Sequence, residues 1–303
     1  MFAAPFQLPC TLFASAHSHR SSLTNNRRVL RAEMPSFALQ GSVTGHASQA
    51  VQRKYSIPNS SGEILAGILE DSGSTDTVVL CHGFRSSKDS STLTSIATRL
   101  INIGCSTFRF DFSGNGESDG EFQYGNYLKE VEDLRSVICH LIAKGHNVKA
   151  LIGHSKGGNV VLLYSSKYGN IGTVVNLSGR FNLERGIRER LGERAIEIIE
   201  DQGFLEVKDR SGNVKYIVTK ESLRERLDTD MKSAALAIPQ NIQILTVHGS
   251  KDQIVDVEDA KEFDKYIKNH KLEIVEGGDH GFTEHREDLQ VVIDFVRECI
   301  QQS

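Results

Sequence analysis

One hexapeptide constrains this chain more than any other stretch: Gly153-His154-Ser155-Lys156-Gly157-Gly158. It follows the apolar run 148–152, which reads as a buried strand, and precedes 159–168, which reads as a helix. Passing from strand to helix in so few residues demands a very sharp turn. The central serine must take a strained backbone conformation, and side chains two positions to either side would collide. Gly153 and Gly157 remove those collisions, and Gly158 lets the helix pack close to the sheet. The turn therefore commits the chain to a strand and a helix laid back to back, with the Ser155 hydroxyl lifted above the strand end.

The text on either side agrees with such a layout. Residues 54–57 and 63–69 flank Asn59-Ser60-Ser61-Gly62 and read as a hairpin. Residues 77–81 form a short, wholly apolar run of the buried parallel type, and 106–110, 173–177, 243–247 and 271–275 complete a set of eight strands with 148–152. Between them, Leu93, Ile96, Leu100 and Ile101 recur at helical spacing, as do Tyr127, Val131, Leu134, Ile138 and Leu141. Leu289, Val292, Ile293 and Val296 mark a last helix. Strands alternating with helices imply a mostly parallel sheet covered on both faces.

One stretch breaks the alternation. About 60 residues separate the strand ending near Leu177 from the one starting at Gln243, too long and too patterned for a loop. Within it, 204–207 and 214–218 bracket Asp209-Arg210-Ser211-Gly212-Asn213 and read as a second hairpin, while 187–199 mixes Arg and Glu as a solvated face would. The expectation is a lid insertion over about 180–238, lying above the sheet edge that carries Ser155.

A serine in G-x-S-x-G between strand and helix is the signature of a nucleophile elbow. Serine is a weak nucleophile until a base takes its proton. Among eleven histidines, His280 in Gly278-Asp279-His280-Gly281-Phe282 follows the last strand, so its loop returns to the sheet edge of the elbow. His154 adjoins the serine but should point away from the hydroxyl, and His248 ends a strand. The base needs a carboxylate to hold its tautomer, and Asp252 follows the penultimate strand. Asp256 sits where a helix N-terminus explains it, and Asp279 is too close to the histidine to reach its far nitrogen. Negative charge developing on a carbonyl oxygen needs donors already in place: the backbone N–H of Lys156, and that of Phe84 in His82-Gly83-Phe84, where Gly83 permits close approach. The glycine-rich Asp111–Gly120 segment lacks the Lys-Ser/Thr of a phosphate loop and reads as a turn buttressing the others.

Composition restricts partners and compartment. The net charge of −4 gives no nucleic-acid footprint, and no apolar run is long enough to cross a bilayer. Cys10, Cys81, Cys105, Cys139 and Cys299 lack metal-ligand spacing, and reduced thiols are expected. Residues 1–32 carry four arginines, many hydroxyls and no acid, the composition of an organelle transit peptide, with plastid favoured over mitochondrion or cytosol. Losing residues 1–50 would leave a body of net charge −7.

From about residue 52 to 300 the chain resembles the α/β-hydrolase superfamily, in particular its serine-aminopeptidase-like branch with lidded lipases and feruloyl esterases. His82-Gly83-Phe84, the 111–120 turn, the elbow, Gly249-Ser250-Lys251-Asp252 and Gly278-Asp279-His280 carry the likeness. The order Ser155, Asp252, His280 is also that of α/β-hydrolases. The resemblance implies a Ser155–Asp252–His280 triad, an oxyanion hole at Phe84 and Lys156, no cofactor or metal, and hydrolysis of a small ester with an apolar portion. Acyl transfer or peptidase-like use of the same triad, and a ligand-binding receptor on the same fold, are the alternatives.

Overall fold

Eight strands pair into one sheet in the computed structural model, which describes residues 51–302. The targeting segment expected over residues 1–50 lies outside the described residues. In chain order the sheet comprises β1 (Val51–Pro58), β2 (Ile64–Asp71), β3 (Asp76–Cys81), β4 (Ser106–Phe110), β5 (Asn147–His154), β6 (Thr173–Leu177), β9 (Gln243–Gly249) and β10 (His270–Val275). A separate hairpin comprises β7 (Phe204–Lys208) and β8 (Val214–Thr219). The spatial order is β1-β2-β4-β3-β5-β6-β9-β10. The β1–β2 and β2–β4 pairs are antiparallel, and every other neighbouring pair in the sheet is parallel. This is the α/β-hydrolase fold.

Strand alternation sorts the core into two layers. Val78 and Leu80 of β3 face α1 (Ser91–Asn102) and α9 (Gln290–Gln302). Val79 and Cys81 face the other way, onto α2 (Tyr127–Ala143) and α3 (Lys156–Tyr168). Cys81, Cys105 and Cys299 are free and buried, whereas Cys139 is disulfide-bonded and so departs from the expectation of reduced thiols.

The topology also locates the crevice. From β3 the chain passes to β4 on one side and then to β5 on the other, so the connections diverge at the carboxyl ends of β3 and β5. Open α/β sheets bind ligands at such a switch point. His82-Gly83-Phe84 leaves β3 there, and Ser155 leaves β5.

Between β6 and β9 the chain forms α4 (Ile187–Leu191), α5 (Ala195–Gln202), the β7–β8 hairpin, α6 (Lys220–Asp228) and α7 (Met231–Ala237). The charged stretch is two short helices parted at Gly192 (φ 101°). The segment has a small core of its own, Ile187, Ile199, Val218 and Leu223 around Tyr124.

Candidate active site

Ser155 stands between β5 and α3 with φ 56° and ψ −119°, a conformation that side chains rarely take. The neighbours require it. A Cβ on Gly153 would overlap the Gly157 carbonyl, and one on Gly157 would overlap the carbonyls of Cys81 and His82. A Cβ on Gly158 would strike the Asn176 amide from β6. The Ser155 amide is tied across the sheet to the Leu177 carbonyl at 2.7 Å. The strain is therefore held by three adjacent strands.

The histidine and carboxylate come from the next two strand ends. Asp252 Oδ2 accepts from His280 Nδ1 at 2.7 Å, and Oδ1 accepts from the amides of Ile254 (2.8 Å) and Val255 (2.9 Å). Burial opposes ionisation of Asp252. Hydrogen bonds from His248 and His280, the His280 charge and the Val255 amide outweigh it, so the carboxyl is held well below the usual range. The acid loop and the base loop brace each other, with Lys251 N on Gly278 O at 2.9 Å and Gly277 N on Ser250 Oγ at 2.8 Å. Asp256 caps α8 (Val257–Tyr266), and Asp279 accepts from Thr283 N at 2.7 Å. Both carboxylates are thus engaged locally.

Two histidines to which no role was assigned from sequence stand next to this pair. His154 does turn from the hydroxyl, and its Nε2 donates to the His280 carbonyl at 2.8 Å, joining the elbow to the base loop. Burial lowers the His154 pKa to about 4, with the His280 charge adding to the effect, so the ring is neutral. His248, fully buried, sets Nε2 3.2 Å from Asp252 Oδ2 and 3.0 Å from the Val255 carbonyl. Both contacts are acceptors, so Nε2 carries the proton. A histidine closing a strand four residues before a loop carboxylate is the signal that could have found it.

The loop after β3 is shaped by His82. Its Nδ1–H donates to the Gly83 carbonyl (2.8 Å), and its Nε2 accepts from Phe112 N (3.1 Å). Burial lowers its pKa to about 4, which keeps that tautomer neutral. A Cβ on Gly83 would sit 3.0 Å from the Ser155 Cβ and 3.2 Å from the His154 carbonyl oxygen, so glycine lets the loop run this close to the serine without displacing it. The Phe84 amide follows directly, and the Lys156 amide opens α3, where the first N–H groups lack helical acceptors. The 111–120 turn is a buttress: Asp111 accepts from Lys88 N (2.6 Å), Lys88 Nζ (2.8 Å) and Glu117 N (3.0 Å), while Ser113 is tied to Asp133.

The Lys156 side chain plunges away from the crevice. Its Nζ pairs with Glu130 of α2 at 2.7 Å and lies 4.9 Å from the Tyr127 ring centroid, in the interior. The Lys156 ammonium therefore stands clear of any substrate, and only its backbone faces the site. The Phe84 side chain points into the small core under the insertion. It meets Phe122, Tyr124 and Tyr216 edge-on at 5.2–5.7 Å, and the Arg190 guanidinium lies 4.6 Å from its centroid. A residue in the stretch expected to be a solvated face thus sits on the aromatic beside Gly83.

A family model described as Serine aminopeptidase, S33, matches residues 73–230. The match includes the β3 loop and the elbow and ends before Asp252 and His280. Among curated proteins, the chain is 24% identical over 209 residues to monoacylglycerol lipase of Mycolicibacterium smegmatis, covering 62% of this chain and 74% of that protein. It is 23% identical over 240 residues to the human mitochondrial palmitoyl-protein thioesterase ABHD10, covering 76% and 74%. Among solved structures, Est1E from Butyrivibrio proteoclasticus with ferulic acid bound superposes with a TM-score of 0.64 at 22% identity, over 82% of this chain and 98% of that one. The Pyrococcus furiosus esterase Pf2001 gives 0.63 at 20%, over 82% and 91%.

Proposed function

This chain belongs to the serine aminopeptidase S33 family, and from that premise we propose that it hydrolyses a carboxylic ester through Ser155, His280 and Asp252. The observation that carries the reading is the 2.7 Å bond between His280 Nδ1 and Asp252 Oδ2, on a loop tied through His154 to the strained serine. With Nδ1–H held by the carboxylate, Nε2 is the free basic nitrogen. It takes the Ser155 proton as Oγ attacks the carbonyl carbon. The amides of Phe84 and Lys156 receive the oxyanion, the alcohol leaves with the proton from His280, and water activated by the same nitrogen releases the acid.

The insertion is read as a lid, and the rings of Phe84, Phe122 and Tyr216 as the apolar wall of the substrate pocket. The lipase and thioesterase relatives and the ferulate-bound esterase are consistent with an ester of a small or fatty acid. A fluorophosphonate probe should label the protein and fail to label Ser155→Ala, with parallel loss of p-nitrophenyl and hydroxycinnamoyl ester turnover. Folded wild-type protein that neither labels nor turns over an ester would sink the reading.

Residues 1–50 are read as a targeting leader, to plastid rather than mitochondrion, although a mitochondrial relative favours the latter. Fusing them to a fluorescent reporter separates plastid, mitochondrial and diffuse signals, and a diffuse signal ends the leader reading.

A further inference from the structure

Three guanidinium groups are left unused by the mechanism: Arg180 after β6, Arg190 on α4 and Arg226 on α6. Arg180 and Arg226 are buried, yet their partners are neutral. Arg180 Nη2 donates to the Ile254 carbonyl. Arg226 Nε donates to the Leu183 carbonyl at 2.9 Å, and its Nη1 to the Tyr127 hydroxyl at 2.9 Å. Among the described residues no carboxylate comes within 4.0 Å of these three guanidiniums, whereas Arg185 and Arg188 beside them are paired with Asp259 and Glu193. The three are close enough to act on one another. Burial lowers the Arg180 pKa, and the Arg226 and Arg190 charges lower it further against the pull of Asp259. Arg180 and Arg226, both buried, hold two like charges in the interior with no carboxylate in ion-pair contact, which is costly.

Tyr124 makes the same point independently. It is fully buried, its hydroxyl has no partner, and Arg226 lies 5.1 Å from its ring centroid. The charges of Arg226, Arg190 and Arg180 all act on that hydroxyl. An unmatched O–H among guanidiniums that have no ion-pair partner calls for a single kind of ligand, an oxygen-rich anion. A cleft of about 750 Å³ reaches Arg180 and Arg190 and runs to Asp252 and Ile254. Glu184, Glu189 and Asp256 stand exposed along it, and Arg226 and Tyr124 are buried outside its lining. The cluster also adjoins the nucleophile by two routes. Arg190 lies on Phe84, next to the Gly83 that touches Ser155, and Arg226 holds the Tyr127 hydroxyl whose ring lies under Lys156.

We propose that Arg180 and Arg190, which line the cleft, with Arg226 and Tyr124 buried next to them, form a subsite for an anionic group, a carboxylate or a phosphate, carried by the ester that Ser155 attacks. The proposal rests on the hydrolase reading and names its substrate class. The test compares p-nitrophenyl hemiglutarate with the nearly isosteric, uncharged p-nitrophenyl pentanoate. The wild type should prefer the anionic ester about tenfold or more in kcat/KM, the size of one charge-assisted hydrogen bond. The preference should shrink with added salt and fall at least about fivefold in Arg190→Gln, with partial retention in Arg190→Lys. Arg190 is exposed, and a melting curve shows that the variant is folded. Free glutarate and inorganic phosphate, each tried as an inhibitor of pentanoate hydrolysis, distinguish a carboxylate occupant from a phosphate one. No preference in the wild type, or a preference untouched by Arg190→Gln, overturns the subsite while leaving the hydrolase intact. If neither ester turns over and no phosphonate label appears, the hydrolase reading has failed instead. Calorimetry of glutarate and of phosphate on Ser155→Ala then decides the subsite alone: binding that Arg190→Gln removes supports it, and no binding overturns it.

Discussion

The elbow at Ser155 and the insertion over residues 178–242 border one crevice and are held by different forces. The elbow is backbone against backbone. Gly153, Gly157 and Gly158 have carbonyls or an amide where a Cβ would be, and the serine amide is bonded to the adjoining strand. Nothing there can shift without breaking the sheet. The hairpin and α4 of the insertion meet the body through rings and guanidiniums: Phe84 with Tyr216, Arg85 over Tyr216 at 4.9 Å, Arg190 over Phe84 at 4.6 Å; α6 and α7 are anchored more firmly, with Glu225 accepting from the Leu128 amide and Met231 and Ala235 in the main core. The hairpin leaves Phe204, Val214 and Ile217 about half exposed. Side-chain contacts of this kind rearrange by rotamer changes, each contact contributing about 0.5–1.5 kcal/mol. The proposed machinery for attack is thus rigid, while the hairpin and α4, the surface proposed to select a substrate, can adjust.

The comparison breaks most visibly at the glycines. Gly153→Ala should cost more than about 4 kcal/mol and leave little folded protein, because the new methyl meets a carbonyl rather than a side chain. Soluble expression and a denaturation curve check this, and a normal midpoint would show that the elbow yields after all. Asp252→Asn is next. Its Oδ1 can still take the amides of Ile254 and Val255, so the fold should survive, but an NH₂ would face His280 Nδ1 and favour the wrong tautomer. The expected loss is about 10⁴ in kcat with KM little changed. Tyr216→Ala should be milder, a fall of roughly three- to tenfold in kcat/KM from loosening Phe84, with a small drop in melting temperature. An unchanged kcat/KM would mean that the insertion does not hold the oxyanion loop.

The same contrast explains what could be read from the sequence. The elbow glycines, the strand alternation, the 204–218 hairpin and the loop positions of Asp252 and His280 express local constraints: turn sterics, side-chain period and chain order. Such constraints are written at the residues that obey them. The Lys156–Glu130 pair, the His248 contact with Asp252 and the stacking of Arg190 on Phe84 join positions 26, 4 and 106 residues apart. Only the last two partners' loops, once folded, say which way those side chains turn. Arg190 is exposed like its neighbours Glu189 and Arg188, and charge density in a line of text does not say which of the three guanidinium or carboxylate groups lies over a ring.

The smallest effect is a slope. Burial holds His82 and His154 neutral, each with its pKa lowered from 6.5 to about 4. As the pH falls from 6.5 to 4 the unfolded chain binds protons that the native state refuses, so these two groups make acid destabilising. Glu130 acts in the opposite sense. Burial raises its pKa from 4.5 to about 7 against the pull of Lys156, so its contribution is fully present below pH 4.5 and is lost as the pH rises through 7. In the wild type the two effects partly cancel. Replacing the pair together, Glu130→Met with Lys156→Met, removes the opposing contribution without leaving one buried charge alone. Between pH 7 and 5 the double variant should then lose roughly 2 kcal/mol more stability than the wild type, measured by urea denaturation at each pH. Since all three groups lie under the elbow and its neighbouring loops, Arg190→Gln in the insertion should leave that slope as it is, and a change there of similar size would show that the two regions are coupled more tightly than their contacts indicate.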